Sequence, residues 1–179
     1  FPVEAQLETV KRLREVLPPV SFAVEIGKEF HREKKYVPRW DIGEDNVGVE
    51  KIEDAISRPA LKVLGRCSNL EFTSDEMVEV ARRELQDLVT VTHSAANDSL
   101  IEISALNISK GTTLAMMADR LGLNADDVVT FGDNPNDFSM LEWASRSYAM
   151  ADGHPEAPSF AKGVAEACEA DGVAKIIEE

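Results

Sequence analysis

Apolar and polar positions change their spacing near residue 105. Before that point, helical spacing over Val3–Leu17 ends at a Pro-Pro pair, and a capping box formed by Thr73 and Glu76 opens a second helix. Strand-like runs occur at 21–27, 59–67, 89–94 and 99–104, and the last two are predicted to form a hairpin. The polar stretch 28–48 predicts a long loop with room for one more strand, and 49–57 predicts a short helix. This part of the chain is therefore predicted to be an α+β unit with a mainly antiparallel sheet.

Beyond Asn107 the pattern switches to helices that alternate with short strands. A helix from residue 109 to 122 precedes a strand at Val128–Phe131, and a short helix separates this strand from a second one at Ser147–Met150. Such alternation is typical of parallel sheets with helical crossovers. The sequence therefore predicts an α/β fold class and two domains, residues 1–105 and residues 106–179.

Composition and charge narrow the choice of partners. The chain has 179 residues, of which 44% are hydrophobic and 29% charged, and its formal net charge is −14. Because no basic stripe is present to neutralise phosphates, we expect neither nucleic acid nor an anionic membrane as a partner. A small phosphate ester stays possible, since a bound cation reverses the local field. We also expect no membrane span and no signal peptide, and Cys67 and Cys168 form no disulfide framework, which favours a reducing, cytoplasmic setting.

An acidic turn follows the first strand of the second part. The strand-forming residues of Val128–Phe131 stop at Gly132, and Asp133, Asn136 and Asp137 follow within five positions. Ligands of open parallel sheets bind at the carboxyl ends of strands, and clustered carboxylate and amide oxygens suit Mg²⁺. The turn therefore predicts a magnesium site. The alternative is a turn that only caps the following helix, with Asn136 or Asp137 as the cap.

A lysine lies at the start of the preceding helix. Ser109 is the predicted N-cap and Gly122 the predicted residue after the helix end, so Lys110 falls in the first turn. Backbone N–H groups and the helix dipole favour an anion at that place. A lysine followed by a helix, a strand and an acidic turn is a layout that suits phosphate and metal. The alternative is an ordinary lysine on the surface.

These two segments together resemble a known family. Ser109-Lys110-Gly111, followed by the segment Gly132–Asp137, is similar to the third and fourth motifs of the haloacid dehalogenase-like hydrolases. The match is closest to the Cof-type branch, whose pattern S-K-G, then G-D-x-x-N-D-x-x-M-L, is completed by Met140-Leu141. The segments 149–156 and 171–174 resemble the closing segments of that branch. The resemblance is specific from about Ile103 onward.

The resemblance implies a type IIB-capped phosphatase that depends on Mg²⁺. Residues 1–105 would form the α+β cap that selects the substrate, and residues 106–179 the C-terminal half of a Rossmann-like parallel core. Hydrolysis of a small phosphate monoester would pass through an aspartyl-phosphate. Lys110 would be catalytic and would bind phosphate together with Asn136. Asp133 would hold Mg²⁺ directly, and Asn136 and Asp137 would orient that ligand or bind through water.

The first two motifs of the family have no counterpart in the sequence. The nucleophile of such enzymes is the first Asp of a D-x-D-x-[TV] motif, and no Asp-x-Asp triplet occurs among the 179 residues. We therefore expect that this chain provides no nucleophile and is inactive alone. Its second part would pair with another copy of the chain or with a separate N-terminal segment.

Other interpretations stay open at this point. The chain could be a non-catalytic binding or interaction module made of cap and half-core, or a different Mg²⁺-dependent α/β protein such as a receiver-like domain. The basic cluster at residues 31–40 could contact an anionic leaving group or simply be a solvated loop. His93 is predicted to be structural, and His154 is assigned no chemistry. Sugar phosphates, nucleotides, and flavin or pyridoxal phosphates all fit as substrates.

Overall fold

A computed structural model describes residues 1–178 of the chain. These residues fall into two compact units, the first being Phe1–Asn107 and the second starting at Ile108. One unit contains an antiparallel sheet and the other a parallel sheet, so the predicted mixed α/β class is confirmed. The domain boundary expected at residue 105 stays a prediction. Within the described residues, no helix has the length and apolar character needed to cross a membrane.

The first unit is a five-stranded antiparallel sheet with two helices. The strands have the spatial order β2-β1-β3-β5-β4, and each neighbouring pair is antiparallel. The elements are α1 (Val3–Val16), β1 (Ser21–Ile26), β2 (Glu29–Arg32), a 3-10 helix at Ile52–Asp54, β3 (Lys62–Arg66), α2 (Ser74–Leu85), β4 (Val89–Thr92) and β5 (Leu100–Ala105). The predicted pairing of the last two strands is confirmed, and β5 also pairs with β3.

One detail that the sequence analysis allowed for is present in this unit, and two others differ from the sequence prediction. The extra strand that the polar stretch left room for exists as β2, which forms an edge of the sheet. The short helix predicted at 49–57 is reduced to the single 3-10 turn at Ile52–Asp54. The strand predicted from Pro59 begins only at Lys62, since Pro59 has no N–H to donate and the N–H of Ala60 bonds the carbonyl oxygen of Phe1 rather than a neighbouring strand.

One face of the antiparallel sheet carries the core of the first unit. Alternate residues along the strands point to the same face, and their side chains are buried together with those of α1 and α2. The buried set includes Val10, Leu13, Phe22, Val24, Val63, Met77, Leu85, Val91, Ile101 and Ile103. The predicted capping box of α2 is confirmed, since Thr73 and Glu76 exchange hydrogen bonds between side chain and backbone.

A buried carboxylate joins four segments of the first unit. Glu33 accepts hydrogen bonds from the backbone N–H groups of Phe22 and Ile52, both at 3.0 Å, and forms an ion pair with Arg14. The Arg14 guanidinium also pairs with Glu53 and lies 4.9 Å from the centroid of the Phe22 ring. Burial lowers the pKa of Arg14, but the hydrogen bonds that its guanidinium donates to Glu53 and Glu33 outweigh this effect and raise the pKa overall. Glu33 thus holds α1, β1 and the 3-10 helix at fixed positions.

The second unit contains a three-stranded parallel sheet with the order β6-β7-β8. Its elements are α3 (Lys110–Arg120), a 3-10 helix at Ala125–Asp127, β6 (Val129–Gly132), α4 (Phe138–Trp143), β7 (Arg146–Met150), α5 (Ala157–Phe160), β8 (Gly163–Ala165), a 3-10 helix at Cys168–Ala170 and α6 (Gly172–Glu178). The sequence predicted only two strands here and missed β8. That strand has three residues, too few for a periodic pattern to be recognised.

Local signals set the ends of α3 as predicted. Ser109 is the N-cap, and its side chain and that of Thr112 form a capping box with the backbone. After the helix, Gly122 adopts the left-handed conformation at a φ of +72°. The first turn of α3, which carries Lys110, is therefore fixed by its own sequence.

Within the part of the chain that the structure describes, β6 lies at one edge of the parallel sheet. Val129 on β6 and Val164 on β8 are 40% and 54% exposed, although parallel sheets are usually covered on both faces. An unpaired edge with apolar side chains favours association with another chain or segment.

We predict that Glu33→Gln lowers the free energy of unfolding of the first unit by about 3 kcal/mol, because a buried ion pair with Arg14 is broken. Chemical denaturation followed by circular dichroism measures this change. The matched control is Glu29→Gln. The Glu29 carboxylate pairs with Arg58 at the surface, so its loss should change the free energy of unfolding little. Equal losses for the two variants would contradict the special role of Glu33.

We also predict that the two thiols differ strongly in reactivity. Cys67 is fully buried, and burial, with a smaller effect of Glu71, raises its pKa to about 11, whereas Cys168 is exposed. Since the thiolate is the reactive species, a disulfide reagent at pH 8 should modify Cys168 rapidly and Cys67 only after unfolding. The Cys168→Ser variant should then show no fast labelling. Fast labelling of that variant would contradict the burial of Cys67.

Candidate functional site

The acidic turn after β6 is closed by the carboxylate of Asp137. Its Oδ2 accepts hydrogen bonds from the backbone N–H groups of Asp133 at 3.0 Å and Asn134 at 3.3 Å, and its side chain is 5% exposed. Gly132 permits this arrangement, because a Cβ at that position would lie 2.5 Å from the Cβ of Asp137. Asp137 occupies the N-cap position of α4 as the sequence suggested, but its side chain makes no capping hydrogen bond there. The carboxylate is directed back into the turn instead.

Lys110 reaches the same carboxylate from the other motif. Its Nζ forms an ion pair with Oδ1 of Asp137, and the lysine side chain is half exposed. Asp137 therefore bonds the ammonium group with one oxygen and the backbone of the turn with the other. The structure brings Lys110 together with Asp133 and Asp137, which follow it by 23 and 27 residues in the sequence.

The start of α3 lies against the start of α4. The backbone N–H of Gly111 donates a hydrogen bond to Oγ of Ser139 at 3.0 Å, and a Cβ on Gly111 would lie only 2.3 Å from the carbonyl oxygen of Ser139. The hydroxyl of Thr130 on β6 donates to the carbonyl oxygen of Met140 at 3.3 Å. Sequence reasoning missed Ser139, because a serine in a helix gives no signal that it bonds a distant backbone group.

Asp133 lies in an unfavourable environment for a carboxylate. Burial raises its pKa, and the neighbouring Asp137 raises it further through a hydrogen bond and charge repulsion. A 2.7 Å hydrogen bond from the side-chain amide of Asn134 and the charge of Lys110 offset only part of this effect. A cation next to Asp133 would stabilise the ionised form.

The oxygen atoms of the turn fit a hard cation. Besides the Asp133 carboxylate, the side-chain oxygen of Asn136 is buried and has no hydrogen-bond partner among the described residues. A buried polar atom without a partner costs free energy unless a ligand or water satisfies it. Carboxylate and amide oxygens are ligands that Mg²⁺ prefers, so the residues present fit this metal.

The loop after β7 supports the backbone of Asp133. The N–H of His154 donates to the Asp133 carbonyl oxygen at 2.6 Å, and a Cβ on Gly153 would lie 2.7 Å from that same oxygen. The His154 ring packs edge-on against Phe138, with 5.8 Å between ring centroids, and its Nδ1 accepts from the backbone N–H of Glu156. The histidine to which sequence reasoning gave no chemistry thus contributes a backbone contact to the turn.

Two weaker candidates in the first unit have structural partners. In the basic cluster at residues 31–40, Arg32 donates to four backbone carbonyl groups of the following loop, those of Glu33, Lys34, Tyr36 and Asn46. Arg39 and Lys34 form ion pairs with Asp98 and Glu50. His93 is buried and bonds the carboxylate of Asp75 at 2.7 Å, which agrees with the structural role predicted for it.

Curated relatives of the chain include phosphatases of archaea and bacteria. A protein named phosphoglycolate phosphatase from Methanothrix thermoacetophila is 32% identical over 101 residues, which are 56% of this chain and 46% of the relative. A 5-amino-6-(5-phospho-D-ribitylamino)uracil phosphatase from Bacillus subtilis is 30% identical over 108 residues, 60% of this chain and 37% of the relative. The aligned residues thus span half or less of the length of these relatives.

Solved structures share the fold over nearly the whole chain. The structure of SMU.1108c from Streptococcus mutans UA159 has a TM-score of 0.77 and 21% identity, with 98% of this chain and 66% of that chain covered. A sugar phosphatase of haloacid dehalogenase subclass IIB, BT4131, has a TM-score of 0.72 and 16% identity, with 98% and 64% covered. Residues 25–177 also match the sequence profile of the haloacid dehalogenase-like hydrolases. The chain therefore belongs to the haloacid dehalogenase-like hydrolase family.

Proposed function

We propose that the chain is part of a Mg²⁺-dependent phosphatase that hydrolyses a small phosphate monoester. The observation that carries the proposal is the shared carboxylate of Asp137, which places the ammonium group of Lys110 beside the turn that contains Asp133. Catalysis of phosphoryl transfer depends largely on positive charge placed near the transferring group. A lysine and a cation site side by side supply such charge.

In this proposal Asp133 is the direct ligand of the metal. Asn136 offers a buried side-chain oxygen that has no partner among the described residues. The two oxygens of Asp137 already bond Lys110 and two backbone N–H groups. Asp137 therefore acts on the metal through water or by orienting the turn. When bound, Mg²⁺ would neutralise charge on the phosphoryl oxygens and on the attacking carboxylate.

Lys110 has two tasks in the proposed reaction. It holds an anionic oxygen of the phosphoryl group, together with Asn136, and it draws the nucleophilic carboxylate toward the phosphorus atom. Two anions would otherwise repel each other on approach. The nucleophile and the aspartyl-phosphate that it forms would belong to a part of the protein outside these 179 residues, since no Asp-x-Asp triplet occurs here.

The setting and partners of the chain are proposed as follows. A reducing, cytoplasmic location is supported by two free cysteines, one buried and one exposed. The substrate is a small phosphate ester, a class to which the names of the curated phosphatases point. The edge strand β6, on which Val129 is exposed, supports completion of the parallel sheet by a separate N-terminal segment or by another copy of the chain.

A second candidate is a non-catalytic binding module. The observation in its favour is the absence of an Asp-x-Asp triplet from the 179 residues. Such a module would keep the cation site and bind phosphate esters without turnover. The test is hydrolysis of p-nitrophenyl phosphate by the product of the complete coding sequence and by its Lys110→Ala variant. Hydrolysis by the first protein but not by the variant would favour the phosphatase over the binding module.

We predict that the chain binds Mg²⁺ and that Asp133→Asn abolishes binding without loss of stability, because this change removes a crowded carboxylate. Asp137→Asn should instead lower the free energy of unfolding by about 1–3 kcal/mol, since Lys110 loses its partner and two N–H groups lose a charged acceptor. Calorimetric titration with Mg²⁺ and chemical denaturation measure the two effects. The exposed Asp126→Asn is the control, and unchanged binding by Asp133→Asn would remove the metal role.

We predict that Lys110→Ala in the product of the complete coding sequence lowers kcat by about a hundredfold or more, because charge next to the transferring group acts mainly in the transition state. Steady-state assays with p-nitrophenyl phosphate and Mg²⁺ measure kcat and KM. Lys162→Ala, a change of an exposed lysine in the same unit, serves as the control. If the Lys110 variant unfolded while its activity per folded molecule stayed normal, the lysine would be structural.

A further inference from the structure

Ser139 contacts the backbone next to Lys110 through its side chain. It is the second residue of α4, and its Oγ accepts the N–H of Gly111 at 3.0 Å. N–H groups in the first turn of a helix have no partner within the helix, so this one is available to an outside acceptor. The N–H of Thr112, by comparison, is bonded by the capping side chain of Ser109. Ser139 therefore satisfies a donor that local sequence leaves open.

The backbone of Ser139 restricts the same place sterically. A Cβ on Gly111 would lie 2.3 Å from the Ser139 carbonyl oxygen and 2.4 Å from its carbonyl carbon, so the two main chains are in direct contact. The hydrogen bond prevents Gly111 from moving away, and the contact prevents it from moving closer. Thr130 on β6 in turn bonds the carbonyl oxygen of Met140, which fixes the first turn of α4 to the sheet.

Lys110 is thus held at both ends of its side chain. Asp137 bonds the ammonium group, and Ser139, two residues further along, fixes the main chain of the adjoining residue, Gly111. A lysine side chain has four rotatable carbon bonds and defines the place of its charge only if its base is fixed. We infer that Ser139 is a positioning residue for Lys110 in the phosphatase proposed above. No role of Ser139 in binding substrate or metal is needed for this.

The first test compares Ser139→Thr with Ser139→Val in the 179-residue chain, because threonine and valine have nearly the same shape and differ in the hydroxyl group. Only threonine keeps the hydroxyl acceptor, so only valine should accelerate amide hydrogen exchange of Gly111, by about five- to tenfold, the factor expected for one lost hydrogen bond. Nuclear magnetic resonance measures this exchange residue by residue. Ser159→Ala removes a serine hydroxyl that bonds the Glu156 carbonyl oxygen and should leave Gly111 unchanged. Equal exchange in the Thr and Val variants would overturn the inference.

The second readout is the Lys110 side chain itself. In the wild type and in Ser139→Thr, the two Hε protons of Lys110 should give separate signals because the chain end is held in one place, and in Ser139→Val they should merge. Separate signals in the Val variant would overturn the inference even if exchange at Gly111 increased, because the backbone bond would then have no effect on the ammonium group. This readout needs no turnover, so it stands even if the proposed phosphatase function fails.

The third readout connects the hydrogen bond between Gly111 and Ser139 to phosphate ester hydrolysis. In the product of the complete coding sequence, Ser139→Val should lower kcat for p-nitrophenyl phosphate by about tenfold with KM within about twofold, while Ser139→Thr retains most activity. A fall in kcat that threonine does not rescue, or an unchanged kcat in the Val variant, would overturn the positioning role. An inactive wild type would count against the proposed function alone, and the resonance data would then decide the inference.

Discussion

A single buried carboxylate, that of Asp137, determines the form of the candidate site. One of its oxygens bonds the ammonium group of Lys110, and the other bonds two backbone N–H groups of the turn after β6. Hydrogen bonds to an ionised acceptor are stronger than those between neutral groups. Without this residue the lysine and the turn would have no common partner, and the distance between positive charge and Asp133 would not be fixed.

The charged side chains of the site do not balance each other. Asp133 and Asp137 lie side by side, and Lys110 supplies one positive charge that already belongs to an ion pair. The raised pKa of Asp133 reflects burial first and then the hydrogen bond with Asp137 and the repulsion between the two carboxylates. Residues held in such an arrangement destabilise the protein unless a ligand relieves them, which is typical of sites whose purpose is binding or chemistry. A hard cation would relieve this arrangement most directly.

The sequence predicted those features whose causes are local. The Ser109 cap, the left-handed Gly122 and the capping box of Thr73 and Glu76 depend on residues within one helical turn, and all are as expected. The residues that the resemblance assigned to the site, Lys110, Asp133 and Asp137, lie together in the structure, and the roles assigned to them stay a prediction. The direction of the Asp137 side chain could not be predicted from the sequence, because its position after a turn suggests a helix cap. In the structure the side chain forms an ion pair with Lys110, 27 residues earlier, and makes no capping hydrogen bond.

Long-range contacts account for the remaining differences between the sequence prediction and the structure. Ser139 gives no local signal, since its partner is a backbone N–H that only the packing of α3 on α4 brings near. The strand β8 is defined by pairing with β7 rather than by its three residues, of which Val164 is half exposed. The Arg32 side chain, counted in the sequence as part of a basic cluster, is occupied by carbonyl groups that a long loop folds around it.

Three glycines give the site an unusual sensitivity to added atoms. At Gly111, Gly132 and Gly153 the place of a missing Cβ is already taken by the chain at Ser139, Asp137 and Asp133, respectively. Alanine scanning, which normally removes atoms, would at these three positions insert a methyl group against a neighbouring main chain or side chain. Random mutagenesis should therefore find these glycines among the least replaceable residues of the second unit, although none of them carries a functional group. The shape of the site depends as much on these close approaches, which only glycine permits, as on the side chains around it.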